Sequence, residues 1–529
     1  MLWFVLAIFL LATLALAIYG LHLYVLLYLF RRRVTGRRRR QNEIIEAYHR
    51  NQPPDHWPIV TTQIPVYNES GVVQRVIEAV AAMQYAPGKH EIQVLDDSDD
   101  GTRDIVDQVA QRLSAEGVDV RVVRRISREG YKAGALSHGL QSARGEYVAV
   151  FDADFVPPAD FLQKAVPLLE AKPDLACLQG RWSHLNREES WLTEAQALGI
   201  DGHFAIEQGA RAWNGLMMNF NGTGGVWRKA AIEDPQVGGW SCDTLTEDLD
   251  LSYRAQLAGW TLDYCLDLAS PAELPGTIAA LKSQQRRWAT GSIQVARKLL
   301  PRIWRARLPL AQKLEATLHL THYTVALWML VLALAARPML LVYADVRWFA
   351  GWLWIVWIVI LFSALAPSFI YAYARYRLEG RWSGLRTIAS MLILGCGMCW
   401  NNSVAVIHGW FHRGGEFVRT PKSGSDTGET KVSSYRLAQD RMWIVELGLG
   451  IYCMAAFMVY VQQDHRAFSV FLLLYAIGFL LIGWLSRPRR QVQPASGTAV
   501  ERPPSFSSKE VSPAESAGGG ECYVGAPPG

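Results

Sequence analysis

The residues best able to do chemistry are aspartates and a glutamine–arginine–tryptophan cluster spaced between positions 96 and 288. Asp152-Ala153-Asp154 follows the run YVAVF, and two carboxylates one residue apart at a strand end can face the same ion. Mg2+ or Mn2+ held by one or two carboxylates takes its other ligands from substrate phosphates, so the pair suits a diphosphate. An Asp-rich turn would use the same residues. Asp96 and Asp97, in LDDSDDGT, close an earlier apolar run and are candidate nucleotide contacts, whereas Asp99 and Asp100 read as a solvated turn. Thr246-Glu247-Asp248 opens the helical pattern TEDLDLSYRAQLAG. Acids behind a threonine make an ordinary helix start, yet a carboxylate there, Asp248 or Glu247, would act as a general base if it faced a substrate hydroxyl. Lys132, in EGYKAGAL, sits at another helix start, where a nearby phosphate would relieve the unfavourable placement of a cation; a solvent-exposed lysine is the plainer reading. Gln284, Arg286, Arg287 and Trp288 crowd into SQQRRW. A guanidinium there can stabilise a departing diphosphate, and an indole face can stack on the apolar side of a sugar. An interfacial helix with snorkelling arginines accounts for the residue types, but not for the distant aspartates.

These residues need a scaffold that gathers them. IVTTQIPVY (59–67), EIQVLDD (91–97), VDVRVVRR (118–125) and EYVAVFDAD (146–154) are short runs rich in β-formers. Between them lie the helical stretches GVVQRVIEAVAAM (71–83) and GTRDIVDQVAQRLSAEG (101–117). Alternating strand and helix implies a largely parallel sheet with helices on both faces. Ligands in such sheets bind beyond the carboxyl ends of the strands, where LDDSDD and FDAD fall. Residues 55–300 have the hydropathy of a soluble domain.

The rest of the chain is different. Of the 529 residues, half are hydrophobic and 20 are Trp, a mixture expected of soluble and membrane units in one chain. Residues 2–30 are long and apolar enough to span a bilayer, and seven arginines within 31–40 follow directly. Basic residues mark the cytoplasmic flank of a membrane helix, so the first segment reads as an anchor, with a basic linker (31–54) and the domain behind it in the cytoplasm. The net charge of +5 gathers at such flanks, which excludes a nucleic-acid role. Apolar segments return at 317–343, 348–372, 387–411, 442–461 and 467–485. The loops 372–386 and 413–441 are both basic, so both are expected on the cytoplasmic side. Either the segment 387–411 between them is re-entrant or interfacial or one loop breaks the rule, and the Gly- and Asn-rich CGMCWNNSVAVIHGW favours the first. Residues 487–529, rich in Pro, Ser, Gly and Glu, read as disordered. The seven cysteines are scattered, and the CxxC of Cys396 and Cys399 sits in an apolar stretch without a second pair, so no zinc or redox site is expected.

Taken jointly, Asp97, Asp152/Asp154, Asp248 and Gln284-x-x-Arg287-Trp288 resemble the pattern of processive, cellulose-synthase-like family 2 glycosyltransferases. QGRWSHLN (179–186), FNGTGGVWRKAAI (220–232), TLTEDLDLSYRAQLAGW (244–260) and AELPGT (272–277) are similar to stretches of β-mannan and glucomannan synthases. Phe417-x-x-Thr420-x-Lys422, in FVRTPK, is similar to the gating-loop motif of cellulose synthases, with Arg419 in place of a small apolar residue. The resemblance implies an α/β GT-A (Rossmann-like) glycosyltransferase domain, on the cytoplasmic side, inserted between transmembrane helices. It implies an inverting transfer of glucose or mannose from UDP-glucose or GDP-mannose to a β-linked polysaccharide. Asp96, Asp97 and Lys132 would contact the donor, Asp152 and Asp154 would hold Mg2+ or Mn2+ and the diphosphate, and Asp248, beside Glu247, would be the base. Gln284, Arg287 and Trp288 would bind diphosphate and acceptor, and Phe417, Thr420 and Lys422 would close over the donor. No RxxxR…DxSxxG pattern follows the last apolar segment, which sets the chain apart from typical bacterial cellulose synthase subunits, and His138 has no assigned role. A non-processive enzyme that glycosylates a membrane lipid such as diacylglycerol would share every catalytic residue through Thr246-Glu247-Asp248.

Overall fold

The computed structural model describes residues 2–345, 350–415, 441–463 and 466–488. Helix α1 (Leu2–Asn51) is one element of 50 residues, about 75 Å long at 1.5 Å per residue and far longer than a bilayer core. The segment 2–30 and most of the basic stretch 31–54 are parts of this one helix. The arginines and following residues are good helix formers without proline, and a single Gly36 is tolerated. Beyond the apolar part, α1 runs along the soluble unit. There Arg38 makes a bidentate pair with Asp267 (2.7 Å for each bond) and Gln41 donates to the Tyr264 carbonyl (2.9 Å).

The soluble unit is built on seven strands: β1 (Val60–Val66), β2 (His90–Asp96), β3 (Val120–Val123), β4 (Tyr147–Val150), β5 (Leu175–His184), β6 (Gly225–Arg228) and β7 (Thr261–Ala272). Their order in the sheet is β3-β2-β1-β4-β6-β5-β7. β6 alone runs antiparallel to its neighbours β4 and β5, so the expected parallel sheet is a mixed one. Side chains alternate along each strand: Val148 and Val150 of β4 enter one core, and Tyr147 and Ala149 the other. Helices α2 (Val73–Ala81), α3 (Thr102–Ala115) and, past α4 (Tyr131–Leu140), α5 (Phe161–Glu170) supply the second core. α4 covers the opposite face. That same core takes in Leu26, Phe30 and Val34 of α1, which packs this helix against the sheet.

α6 (Trp191–Gly202) passes through a π-turn at His203–Glu207 into α7 (Gln208–Ala212); α8 (Lys229–Ile232) follows β6, and α9 (Glu247–Leu257) precedes β7. α10 (Ile278–Arg305) leads to α11 (Leu310–Thr321), α12 (Thr324–Asp345), α13 (Ala350–Glu379), α14 (Leu385–Phe411), α15 (Met442–Gln462) and α16 (Arg466–Leu485). Among the described residues five helices, α1, α12, α13, α14 and α15, are long and apolar enough to cross a membrane. The segment 387–411 lies in one unbroken helix of 27 residues, α14, and does not fold back on itself as a re-entrant segment would. Gly397 and Gly409 serve close packing and do not break the helix. A Cβ added at Gly397 would stand 2.4 Å from the Gly478 carbonyl oxygen of α16, and one at Gly478 2.6 Å from that of Ile393. Small residues of this kind let membrane helices approach closely.

Candidate active site

Strand register gathers the site. β1 and β2 are paired in parallel from Val60↔His90 to Val66↔Asp96, and β4 pairs with β1 from Val60↔Tyr147 to Gln63↔Val150. Tyr67, Asp97 and Asp152 therefore leave the sheet at one rim. β6 pairs antiparallel with β4, Val150 opposite Gly225, so the chain entering β6 brings Asn221, Gly222 and Thr223 to the same rim. Thr223 Oγ1 accepts from the Asp152 backbone N–H (2.9 Å), and Gly224 N–H donates to Val150 O (2.8 Å).

A cleft at this rim is lined by Asp97, Lys132, Asp152, Asp154, Glu247, Asp248, Gln284, Arg287 and Trp288. Among the described residues the sequence candidates, spread over nearly two hundred positions, thus converge, Asp96 excepted. Asp96 is 1 % exposed and turned inward, accepting from the Ser98 N–H (3.0 Å) and from Arg124 Nε (2.9 Å). Period-two alternation along β2 turns neighbouring side chains to opposite sides, and Asp97 is the one that lines the cleft. Phe417, Thr420 and Lys422 lie outside the described residues.

Asp97 is itself braced by Arg125, whose Nε and Nη2 reach its two oxygens at 2.8 and 2.6 Å. Lys132, on the first turn of α4, places Nζ 2.6 Å from Asp152 Oδ1, 2.9 Å from the Gly222 carbonyl and 3.6 Å from Glu247 Oε1. Burial works against its charge, but the carboxylates of Asp152 and Glu247 outweigh it and hold the lysine above its ordinary pKa. The solvent-exposed lysine is thereby ruled out. Burial pushes the Asp152 carboxyl up, with Asp154 adding to the push and Lys132 opposing it. Asp248 is pushed up to about 7, first by burial and then by Glu247, with Lys132 and Arg287 pulling the other way. A carboxyl titrating near neutrality is what a general base at that pH requires.

Thr246 occupies the N-cap of α9 without a side-chain cap bond, so the helix start is not held in the ordinary way. Instead Ser252 ties it down: its hydroxyl donates to the Asp248 carbonyl (2.6 Å) and accepts from the Phe220 N–H (2.9 Å).

Several residues of the site carried no role in the sequence reading. Gly222 has φ +84°, and a Cβ there would lie 3.0 Å from Asp248 Oδ2 and 3.3 Å from Lys132 Nζ. Only glycine fits both the conformation and the gap. Trp182 donates its indole N–H to the Thr223 carbonyl (3.3 Å), stacks on Phe204 (4.9 Å between centroids) and lies tilted 6.3 Å from Trp288. Arg128 lies over the Tyr67 ring, 3.3 Å from its centroid, on the cleft wall. The glycine run of FNGTGG and the tryptophan of QGRWSHLN were the available signals; nothing in the sequence marks Arg128.

Asp152 and Asp154 fit a divalent cation that completes its shell with phosphates. Together with Glu247 and Asp248 they give this corner more negative charge than Lys132 and Arg287 balance. Among the described residues no three His, Cys, Asp or Glu side chains form a cage on their own, so phosphate oxygens would have to supply the remaining ligands.

Beyond Asp248 and Trp288 the cleft opens into a cavity of about 940 Å³ among the membrane-type helices. Trp182, Asn221, Thr246, Asp248, Gln284 and Trp288 line both spaces. His203, Glu207 and Arg211 are among the polar residues of the cavity lining, and Met329, Leu332, Leu340 and Leu472 among the apolar ones.

Residues 58–291 match the family model "Glycosyltransferase like family 2". The chain is 33% identical over 448 residues to glucomannan 4-beta-mannosyltransferase 7 of Arabidopsis thaliana, a span covering 81% of this chain and 76% of the relative. The chain belongs to glycosyltransferase family 2. It is a glycosyltransferase with a GT-A-like mixed sheet flanked by apolar helices. Glucomannan 4-beta-mannosyltransferase 2 of the same plant is 41% identical over 254 residues, 47% of each chain; the match spans about half of that relative. A mannosyltransferase from Pyrobaculum calidifontis, solved with GDP-Man and Mn2+, is similar at a TM-score of 0.41 and 20% identity, over 69% of this chain and 99% of that one.

Proposed function

We propose that this glycosyltransferase is an integral membrane enzyme that extends a β-linked polysaccharide, of β-1,4-glucan or (gluco)mannan type, by inverting transfer of glucose or mannose from UDP-glucose or GDP-mannose. The observation that carries the reading is the shared wall. The candidate base Asp248 and the aromatic pair Trp182 and Trp288 border both the donor cleft and the cavity that leads away among the apolar helices. The names of the 33–41% identical relatives point to the same product class.

In this mechanism the acceptor's terminal sugar stacks on Trp288 and presents a hydroxyl to Asp248. The carboxylate takes the proton as the hydroxyl oxygen bonds to the anomeric carbon. The bond from that carbon to the diphosphate breaks on the opposite face, converting an α-linked donor into a β-glycoside. Arg287 and Lys132 offset the charge growing on the departing diphosphate. Asp152 and Asp154 would hold Mg2+ or Mn2+, which supplies further charge neutralisation when bound. Asp97 and the Tyr67–Arg128 wall would hold the nucleoside. The basic run 31–40 supports placement of the catalytic domain on the cytoplasmic face.

The apolar walls of the cavity favour a second reading, in which the acceptor is a membrane lipid. Incubation of the full chain in nanodiscs with radiolabelled UDP-glucose or GDP-mannose and Mn2+ separates the two. Label in an ethanol-insoluble product digested by β-mannanase or β-glucanase supports the polysaccharide and identifies the donor. Label in the organic phase supports the lipid. An Asp248→Asn protein that retains its full function would reduce the chain to a nucleotide-sugar binder.

A further inference from the structure

Arg287 and Trp288 act only if α10 holds them at the right depth over Asp248, and α10 is gripped from both sides. On the catalytic side it crosses the start of α9 at Gly291, where a Cβ would stand 2.5 Å from Thr246 Cγ2 and 2.9 Å from the Thr246 backbone nitrogen. On the membrane side it crosses α14 at Gly409, where a Cβ would stand 2.6 Å from the Thr290 carbonyl oxygen. Neither glycine leaves room for a side chain of its own at its crossing, so a shift of α14 is passed through α10 to the residue before Glu247 and Asp248.

The membrane-side grip is polar. Lys282, one turn before Arg286, pairs with Glu446 of α15 at 2.7 Å, with the two side chains 7% and 0% exposed. Asn401 of α14, also fully buried, accepts from Arg286 Nη2 (3.2 Å) and donates to the Lys282 carbonyl (3.2 Å). Arg286 also reaches the Met442 sulfur at the first turn of α15. Ionised groups within apolar helices are costly unless paired, and apolar packing would hold the same helices together at less cost. The pair therefore does something packing alone does not: it sets one register of α10 against α14 and α15, because an ion pair and an amide bond are satisfied in a single alignment.

We propose that Lys282, Glu446 and Asn401 are positioning residues that set, from the membrane side, where Arg287 and Trp288 stand relative to Asp248. The proposal rests on Asp248 being the base, so transfer by wild type against Asp248→Asn is the control: equal transfer by the two would sink that reading and this one with it, whereas loss of transfer in Asp248→Asn leaves the variants below to decide this one.

The test uses the full chain in nanodiscs and compares wild type with the apolar double variant Lys282→Met/Glu446→Leu and with Glu446→Asp. Thermal midpoint, donor KM, kcat for transfer and the share of donor hydrolysed to water are measured on each. The double variant should fold with a midpoint at or above wild type, since buried ion pairs exchange well for apolar pairs. Its donor KM should stay within about twofold while kcat falls at least about tenfold, and the hydrolysed share should rise because the acceptor is out of place. Glu446→Asp, which keeps the charge, should retain most of the transfer. A double variant with wild-type kcat would overturn the proposal, as would a kcat loss matched by an equal rise in donor KM. If the double variant does not fold, Asn401→Ala, which leaves the ion pair in place, decides: a thermal midpoint like wild type with lower kcat and more hydrolysis supports the proposal, and wild-type kcat, or parallel loss of stability and kcat, overturns it.

Discussion

Replacing Glu247 by Gln should move the acid limb of the pH–activity profile downward. Asp248 titrates at about 7 against an ordinary 3.8, raised first by burial and next by the Glu247 charge beside it. As a base it must be ionised, so kcat/KM falls about tenfold per pH unit below neutrality, leaving roughly a hundredth at pH 5. A carboxyl titrating at its ordinary value would leave the profile flat over that range. Glu247→Gln removes the repulsion and leaves the burial, so the limb should settle between the wild-type position and 3.8. Stability carries the opposite sign. A raised folded-state pKa means that the folded protein binds the proton more tightly than the unfolded chain, so Asp248 costs stability progressively as pH rises from about 4 to about 7. Asp248→Asn should therefore abolish transfer yet stabilise the protein at pH 8, by at most about 4 kcal/mol, with no gain below pH 4. Initial rates of nucleotide diphosphate release from pH 5 to 9, with thermal midpoints of each variant at pH 5 and 8, check both. A wild-type profile flat to pH 5, or a Glu247→Gln limb that stays in place or rises, would refute the reasoning.

Gly222→Ala places a methyl against Asp248 and Lys132 in a left-handed backbone conformation. It should lose about 1–2 kcal/mol of stability and transfer by about a hundredfold, read by thermal shift and product formation. Trp288→Ala should raise acceptor KM or lower kcat by about tenfold or more while leaving donor KM unchanged, and Trp288→Phe should recover part of the loss, because a face for stacking remains. Chelation with EDTA should stop transfer and Mn2+ or Mg2+ should restore it, while Asp154→Asn should raise the metal concentration needed for half-maximal rate. Gly478→Leu drives a side chain into the backbone of α14 and should destabilise the bundle by several kcal/mol, seen as a lower detergent-solubilised thermal midpoint.

The sequence determined the local elements because their causes are local. Runs of β-branched residues ending in Asp97 or Asp152, and apolar segments of membrane length, need no partner to be recognised. The parallel placement of β1, β2 and β4 followed from the alternation of strand and helix, and with it the common rim of Asp97, Asp152 and Asp154. What only the tertiary structure decided depends on neighbours distant in sequence. β6 reverses because the glycine-rich turn at 222–225 feeds it back against β4, and that reversal carries Gly222 beneath Asp248. Asp96 and Asp97 are alike in composition, and only the pleat at the end of β2 turns one inward to Arg124 and the other outward to the cleft. The helix of 387–411 looks polar for a membrane span, yet Asn401 is satisfied by Arg286 and Lys282 across an interface with α10 that no local pattern encodes. The near-neutral titration of Asp248 has the same origin: burial and the opposed charges around it exist only once α4, α9 and α10 have been brought to one rim of the sheet.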